Sequence, residues 1–142
     1  MTIAAILKSV HHEVVTIAPD ASVADAVALL GERRIGAVPV MQGGRVVGIF
    51  SERDVIRMLK DGGAAALDGP VSAAMTAPPV TVAKDDAVIA ALSLMTHRRI
   101  RHLPVLDGDT LVGFVSIGDL VKYRIDRIEA DAAAMRDYIQ TA

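Results

Sequence analysis

Sliding this chain along itself by 65 positions lays residues 15–58 over residues 80–123 without a gap, and about seventeen of the roughly 45 paired positions are then identical. Val15-Thr16 falls on Val80-Thr81, Asp20 on Asp85, Arg33-Arg34-Ile35 on Arg98-Arg99-Ile100, and Pro39-Val40 on Pro104-Val105. Gly43, Val47-Gly48, Ser51 and Asp54 meet Gly108, Val112-Gly113, Ser116 and Asp119. One supersecondary unit is therefore used twice, and the fold must contain two equivalent halves.

Each half changes its hydrophobic period in the same order. A short β-rich run at residues 14–17, repeated at 80–82, leads into a helical stripe. Val23, Ala26, Val27 and Leu30 recur at i, i+3, i+4 and i+7 behind Ser22 as N-cap, and Val88, Ala91, Leu92 and Met95 repeat the spacing. Two strands follow, 37–41 with 46–50 and 102–106 with 111–115. Gln42-Gly43-Gly44-Arg45 and Asp107-Gly108-Asp109-Thr110 join them as hairpin turns. A second helix runs from Glu52 to about Lys60, and its counterpart starts at Ile117. The unit is β-α-β-β-α, and the expected fold class is α/β (α+β), with the two units packed as a pseudo-twofold pair. A helical turn precedes each unit, marked by Ile3, Ile6, Leu7 and Val10 and by residues 71–75. The Gly- and Ala-rich stretch 61–70 links them. This division puts the first unit and its leading helix in residues 1–63, and the second, with a C-terminal helical extension, in 64–142.

Composition narrows the function. The 142 residues are 52% hydrophobic and 23% charged, which suits a packed globular core rather than disorder. Fifteen basic residues against seventeen acidic ones leave no strongly basic face for a phosphate backbone, so no nucleic-acid partner is expected. Aromatic residues are 3% with no Trp, too few for a base-stacking platform. The absence of cysteine removes disulfides, thiolate metal sites and a cysteine nucleophile, and fits a reducing compartment. Apolar runs are too short to span a bilayer and the first ten residues lack the pattern of a secretory signal, so a cytoplasmic chain with no membrane partner is expected. Adjacent His11-His12 would point to opposite faces of a strand and have no carboxylate set nearby, which favours a solvated loop over a metal site. Gly43-Gly44-x-x-x-Gly48 lies between strands and lacks a Lys-Ser/Thr ending, so it is a turn and not a phosphate loop. No nucleophile arrangement is legible, and no enzyme activity is expected.

With the repeat established, the chain resembles a tandem pair of cystathionine-beta-synthase (CBS) domains, the Bateman module. The residues that carry the resemblance are Gly48-Ile49-Phe50-Ser51-Glu52-Arg53-Asp54 and Gly113-Phe114-Val115-Ser116-Ile117-Gly118-Asp119, with Ala37-Val38-Pro39-Val40 and His102-Leu103-Pro104-Val105 before them. The wording is similar to small stand-alone bacterial CBS-pair proteins. The resemblance implies two clefts that take an adenosine-containing ligand such as AMP, ATP or NAD/NADH, with no catalytic cofactor. It also implies a homodimer that signals to an unidentified protein target. The alternative is a structural dimerisation module with vestigial clefts.

Ser51-x-x-Asp54 and Ser116-x-x-Asp119 are capping motifs by spacing alone. The same helix N-terminus offers N–H groups and a positive dipole end to a ligand, and the resemblance assigns ribose to Asp54 and Asp119 with Ser51 and Ser116 close by. Thr16, Ala18, Val38 and Pro39 are expected to line one adenine slot, and Thr81, Ala83, Leu103 and Pro104 the other, with core-strand roles as the competing reading. Arg53, Arg101, His102 and Lys122 are candidates for phosphate, against the ordinary role of solvated charges. Between Ser and Asp stand Glu52-Arg53 in the first motif and Ile117-Gly118 in the second. Gly118 allows close approach and Ile117 an apolar contact to a base, so the Asp119 cleft is expected to bind more tightly.

In the tail, Val121, Ile125, Ile128, Ala132, Met135 and Ile139 recur at intervals of four and three. That stripe needs a cover, either the chain folding back or a symmetry mate across a twofold interface.

Overall fold

A computed structural model describes residues 1–9 and 13–141, so His11-His12 lies outside the described residues. The element order is α1 (Ile3–Ser9), α2 (Val23–Arg33), β1 (Ala37–Gln42), β2 (Arg45–Ser51) and α3 (Glu52–Gly62). A 3-10 segment (Gly63–Asp68) leads to α4 (Val71–Ala74), β3 (Val82–Ala83), α5 (Val88–Arg98), β4 (His102–Asp107), β5 (Thr110–Ser116) and α6 (Ile117–Thr141).

The repeat is reproduced down to its irregularities. β1 and β2 pair antiparallel with a register shift between Val40 and Met41, and β4 and β5 do so with a shift between Val105 and Leu106. Helices α2 and α5 end on Arg34 and Arg99, both left-handed at φ 54°, a conformation uncommon outside glycine. The halves differ at the first strand. Val82 and Ala83 form β3 beside β4 in parallel, and Lys84 N–H extends the ladder to the Leu106 carbonyl at 3.0 Å. In the first half only Ile17 bridges Val40, so the strand expected at 14–17 shrinks to one pair. The residue matching Lys84 is Pro19, which has no N–H to donate.

Each half has its own core, but each core closes on a helix that the sequence repeat assigns to the other unit. Ile3 and Ile6 of α1 are fully buried among Val88, Met95, Leu103 and Leu120 of the second unit. Val71 and Ala74 of α4 are buried among Val23, Leu30, Val38 and Phe50 of the first. Main-chain bonds fix the exchange: Ala4 N–H donates to Lys84 carbonyl at 2.8 Å, and Ser72 N–H to Pro19 carbonyl at 2.9 Å. Dividing the chain at residues 63 and 64 follows the sequence repeat, while the cores cross that boundary twice.

The glycines of the two motifs make the sockets. A Cβ on Gly113 would stand 2.5 Å from Leu7 Cδ2, and one on Gly48 would stand 2.6 Å from Met75 Sδ and 3.0 Å from the Thr76 carbonyl oxygen. Beyond Leu120 and Tyr123, α6 leaves the core. Ile125, Ile128, Met135, Tyr138 and Ile139 are exposed, and none of the described residues folds back over them.

Candidate functional site

Two cavities open between the units, and each takes its aspartate from one unit and its facing wall from the other. The first, of about 520 Å³, holds Ser116 and Asp119 opposite Val14, Val15, Ile35 and Ala37, with Arg33, Arg34 and Glu13 at its edge. The second, of about 400 Å³, holds Ser51, Asp54 and Arg57 opposite Pro78, Pro79, Val80 and Ile100, with Arg53, Arg99 and Arg101 around them. Gly36, Ala37 and His102 line both, so they form the partition between the clefts.

The aspartates sit at the starts of α3 and α6 because a Ser-x-x-Asp sequence closes a capping turn there. Ser116 N–H donates to Asp119 Oδ2 at 2.9 Å, and Asp119 N–H donates to Ser116 Oγ at 3.1 Å. Ser51 N–H likewise donates to Asp54 Oδ2 at 2.9 Å. Main-chain bonds tie each motif to the strand mouth opposite: Ile117 N–H to Arg101 carbonyl at 2.8 Å and Glu52 N–H to Gly36 carbonyl at 3.0 Å. The residues that close the capping turns therefore also line the cavities.

The surroundings of the two carboxylates diverge. Asp54 is 2% exposed and its Oδ1 accepts from Thr76 Oγ1 and from Arg57, each at 2.9 Å. Asp119 is half-buried and accepts only from Ser116 N–H among the described residues. His102 is pushed below the ordinary imidazole pKa by burial and then by Arg101, while Asp119 and Glu52 pull it the other way.

Ser51, Arg53, Asp54, Arg101, His102, Ser116 and Asp119 all reach a cavity. The strand residues do not. Val38, Pro39, Leu103 and Pro104 are buried, with Val38 and Leu103 in the two cores, and line neither cavity. Thr16, Ala18, Thr81 and Ala83 line neither cavity. The apolar walls come instead from the segments just before them, Val14-Val15 and Pro78-Pro79-Val80. Ile117 packs on the second core, Gly118 is exposed in the first turn of α6, and Lys122 turns outward to Asp126 at 3.3 Å. Arg53 is engaged structurally, its guanidinium donating to the Arg99 carbonyl at 2.7 Å. Sequence reasoning missed Thr76, Phe114 and Arg57. Of these only Arg57 left a signal, as a cation three residues after Asp54 on one helix. Among the described residues no cluster of His, Cys, Asp and Glu has the arrangement of a metal site.

Paired β-α-β-β-α units with facing clefts define a tandem-repeat module. The family model for the CBS domain matches residues 5–61 and again 71–126, and the chain belongs to that family. It is 33% identical over 126 residues to the mitochondrial CBS domain-containing protein CBSX3 of Arabidopsis thaliana, with 85% of this chain aligned but only 61% of that protein's length. To the CBS domain-containing protein YhcV of Bacillus subtilis it is 32% identical over 124 residues, 85% of this chain and 86% of that one. Among solved structures, a CBS-domain containing protein from Agrobacterium tumefaciens is 38% identical, with a TM-score of 0.83 over 87% of this chain and 99% of that one. A CBS domain protein from Pyrobaculum aerophilum, complexed with AMP, is 27% identical, with a TM-score of 0.75 over 84% of this chain and 89% of that one.

Proposed function

We propose that this chain is a cytoplasmic regulatory module that senses an adenosine-containing ligand in the Asp119 cleft and signals occupancy to a protein target, without catalysing a reaction. The observation that carries this reading is the Asp119 carboxylate, half-buried at the start of α6, with acceptor capacity to spare among the described residues and an apolar wall of Val14, Val15 and Ile35 opposite. A carboxylate in that position accepts both hydroxyls of a ribose, while the helix N-terminus favours phosphate. The AMP complex of the Pyrobaculum aerophilum relative supports the ligand class. AMP, ATP and NAD/NADH are the candidates, and Arg33 and Arg34 at the cleft edge suit their phosphates.

The module acts as a homodimer, with the exposed stripe of α6 against its symmetry mate. That stripe also favours the second reading, a dimerisation module whose clefts stay empty. Titration calorimetry with AMP, ATP and NADH separates the two. Binding that Asp119→Ala weakens at least tenfold supports the sensor, and a dimer that takes up none of the three supports the second reading.

A further inference from the structure

The Asp54 carboxylate is already filled by its own chain. Oδ2 accepts Ser51 N–H at 2.9 Å and the Ser51 hydroxyl at 3.2 Å, while Oδ1 accepts the Thr76 hydroxyl and the Arg57 guanidinium. An ionised carboxylate has about four lone-pair sites, so these four donors exhaust it. Both outer donors are anchored. Arg57 also donates to the Ala74 carbonyl at 2.8 Å, and Thr76 exchanges two main-chain bonds with Ile49, at 2.8 and 3.0 Å. The exchanged helix α4 thus delivers to the first unit the segment that covers its aspartate.

The second motif has no equivalent cover among the described residues. Lys122, which stands where the repeat places Arg57, pairs with Asp126 on the outer face of α6. Space is not what separates the clefts, because the Asp54 cavity of about 400 Å³ keeps an apolar wall of Ile49, Pro79, Val80 and Ile100. Among the described residues the difference is acceptor capacity. A ribose entering at Asp54 has to displace the Thr76 hydroxyl and the Arg57 guanidinium from a buried carboxylate.

We infer that Thr76 and Arg57 act as a built-in substitute for a ribose diol, so that the module takes one adenosine-containing ligand per chain, at Asp119, and refuses one at Asp54. This rests on the reading of the Asp119 cleft given above. Calorimetry with AMP on the whole protein is expected to give one site per chain, weakened at least tenfold by Asp119→Ala. The double variant Thr76→Val, Arg57→Gln is expected to gain a second site. Two sites in the unaltered protein, or residual binding by Asp119→Ala that a further Asp54→Ala removes, overturns the inference and leaves the sensor reading in place. One site in a folded double variant also overturns it. No binding by the unaltered protein overturns the sensor reading and the inference together. Should the double variant fail to fold, the Asp119→Ala titration alone decides.

Discussion

The imidazole of His102, in the partition shared by both clefts, lies nearly parallel to the ring of Phe114 in the Asp119 cleft, with centroids 5.5 Å apart and planes 14° from coplanar. Ala37 occupies the matching place in the first unit, so the partition has one aromatic side.

This placement makes stability depend on pH. His102 in the folded protein titrates below its usual value of 6.5, because burial and Arg101 outweigh Asp119 and Glu52. As pH falls through that value the unfolded chain takes up the proton first, so its contribution is intact above about 6.5 and declines in acid. Denaturation at pH 7 and pH 5 is expected to show a larger loss for the unaltered protein than for His102→Asn. Equal losses would leave the imidazole without a role.

Gly48 and Gly31 are opposite cases. At Gly48 an added methyl meets Met75 and the Thr76 main chain, whereas at Gly31, inside α2, nothing lies within 4 Å. Gly48→Ala is expected to cost about 1–3 kcal/mol by overpacking. Gly31→Ala is expected to stabilise by about 0.5–1 kcal/mol through helix propensity. Urea titrations of the two variants check both signs.

Ile6 is fully buried in the second core although it belongs to the first turns of the chain. Ile6→Ala is expected to destabilise by about 2–5 kcal/mol, the usual cost of such a cavity. A fragment of residues 64–142, which lacks α1, is expected to stay unfolded by circular dichroism. A cooperative thermal transition in that fragment would contradict the exchange of helices.

The exposed residues of α6 between Ile128 and Ile139 have no cover among the described residues. Truncation after Arg127 is expected to convert a micromolar dimer into monomers by light scattering. An unchanged dimer removes the helix end from the interface, and a monomeric full-length protein removes the dimer.

Much of the local structure was legible because it repeats at fixed spacing. The stripe Val23, Ala26, Leu30, the hairpin turn at Gly43-Gly44 and the capping turns at Ser51 and Ser116 all depend on residues near in sequence. The length of α6 followed from its own periodicity. What escaped was long-range. A short helix such as Ile3–Ser9 has an apolar face but nothing in its sequence says which core receives it. The crossing of the clefts, with Val14 opposite Asp119 and Val80 opposite Asp54, is set by how the units face each other. Thr76 lies 22 residues from Asp54, too far for any periodic signal to join them.

Because α1 and α6 both lodge in the second core, with Leu7 seated at Gly113 and Leu120 buried beneath, both described ends of the chain are moored to one half of the molecule. Tension applied between those ends is carried across the second core, from α1 to α6. Residues 13–69, packed in the first core, lie off that line and bear load only after α1 has been pulled out. A partner tethered at either end therefore leaves the first half mechanically undisturbed.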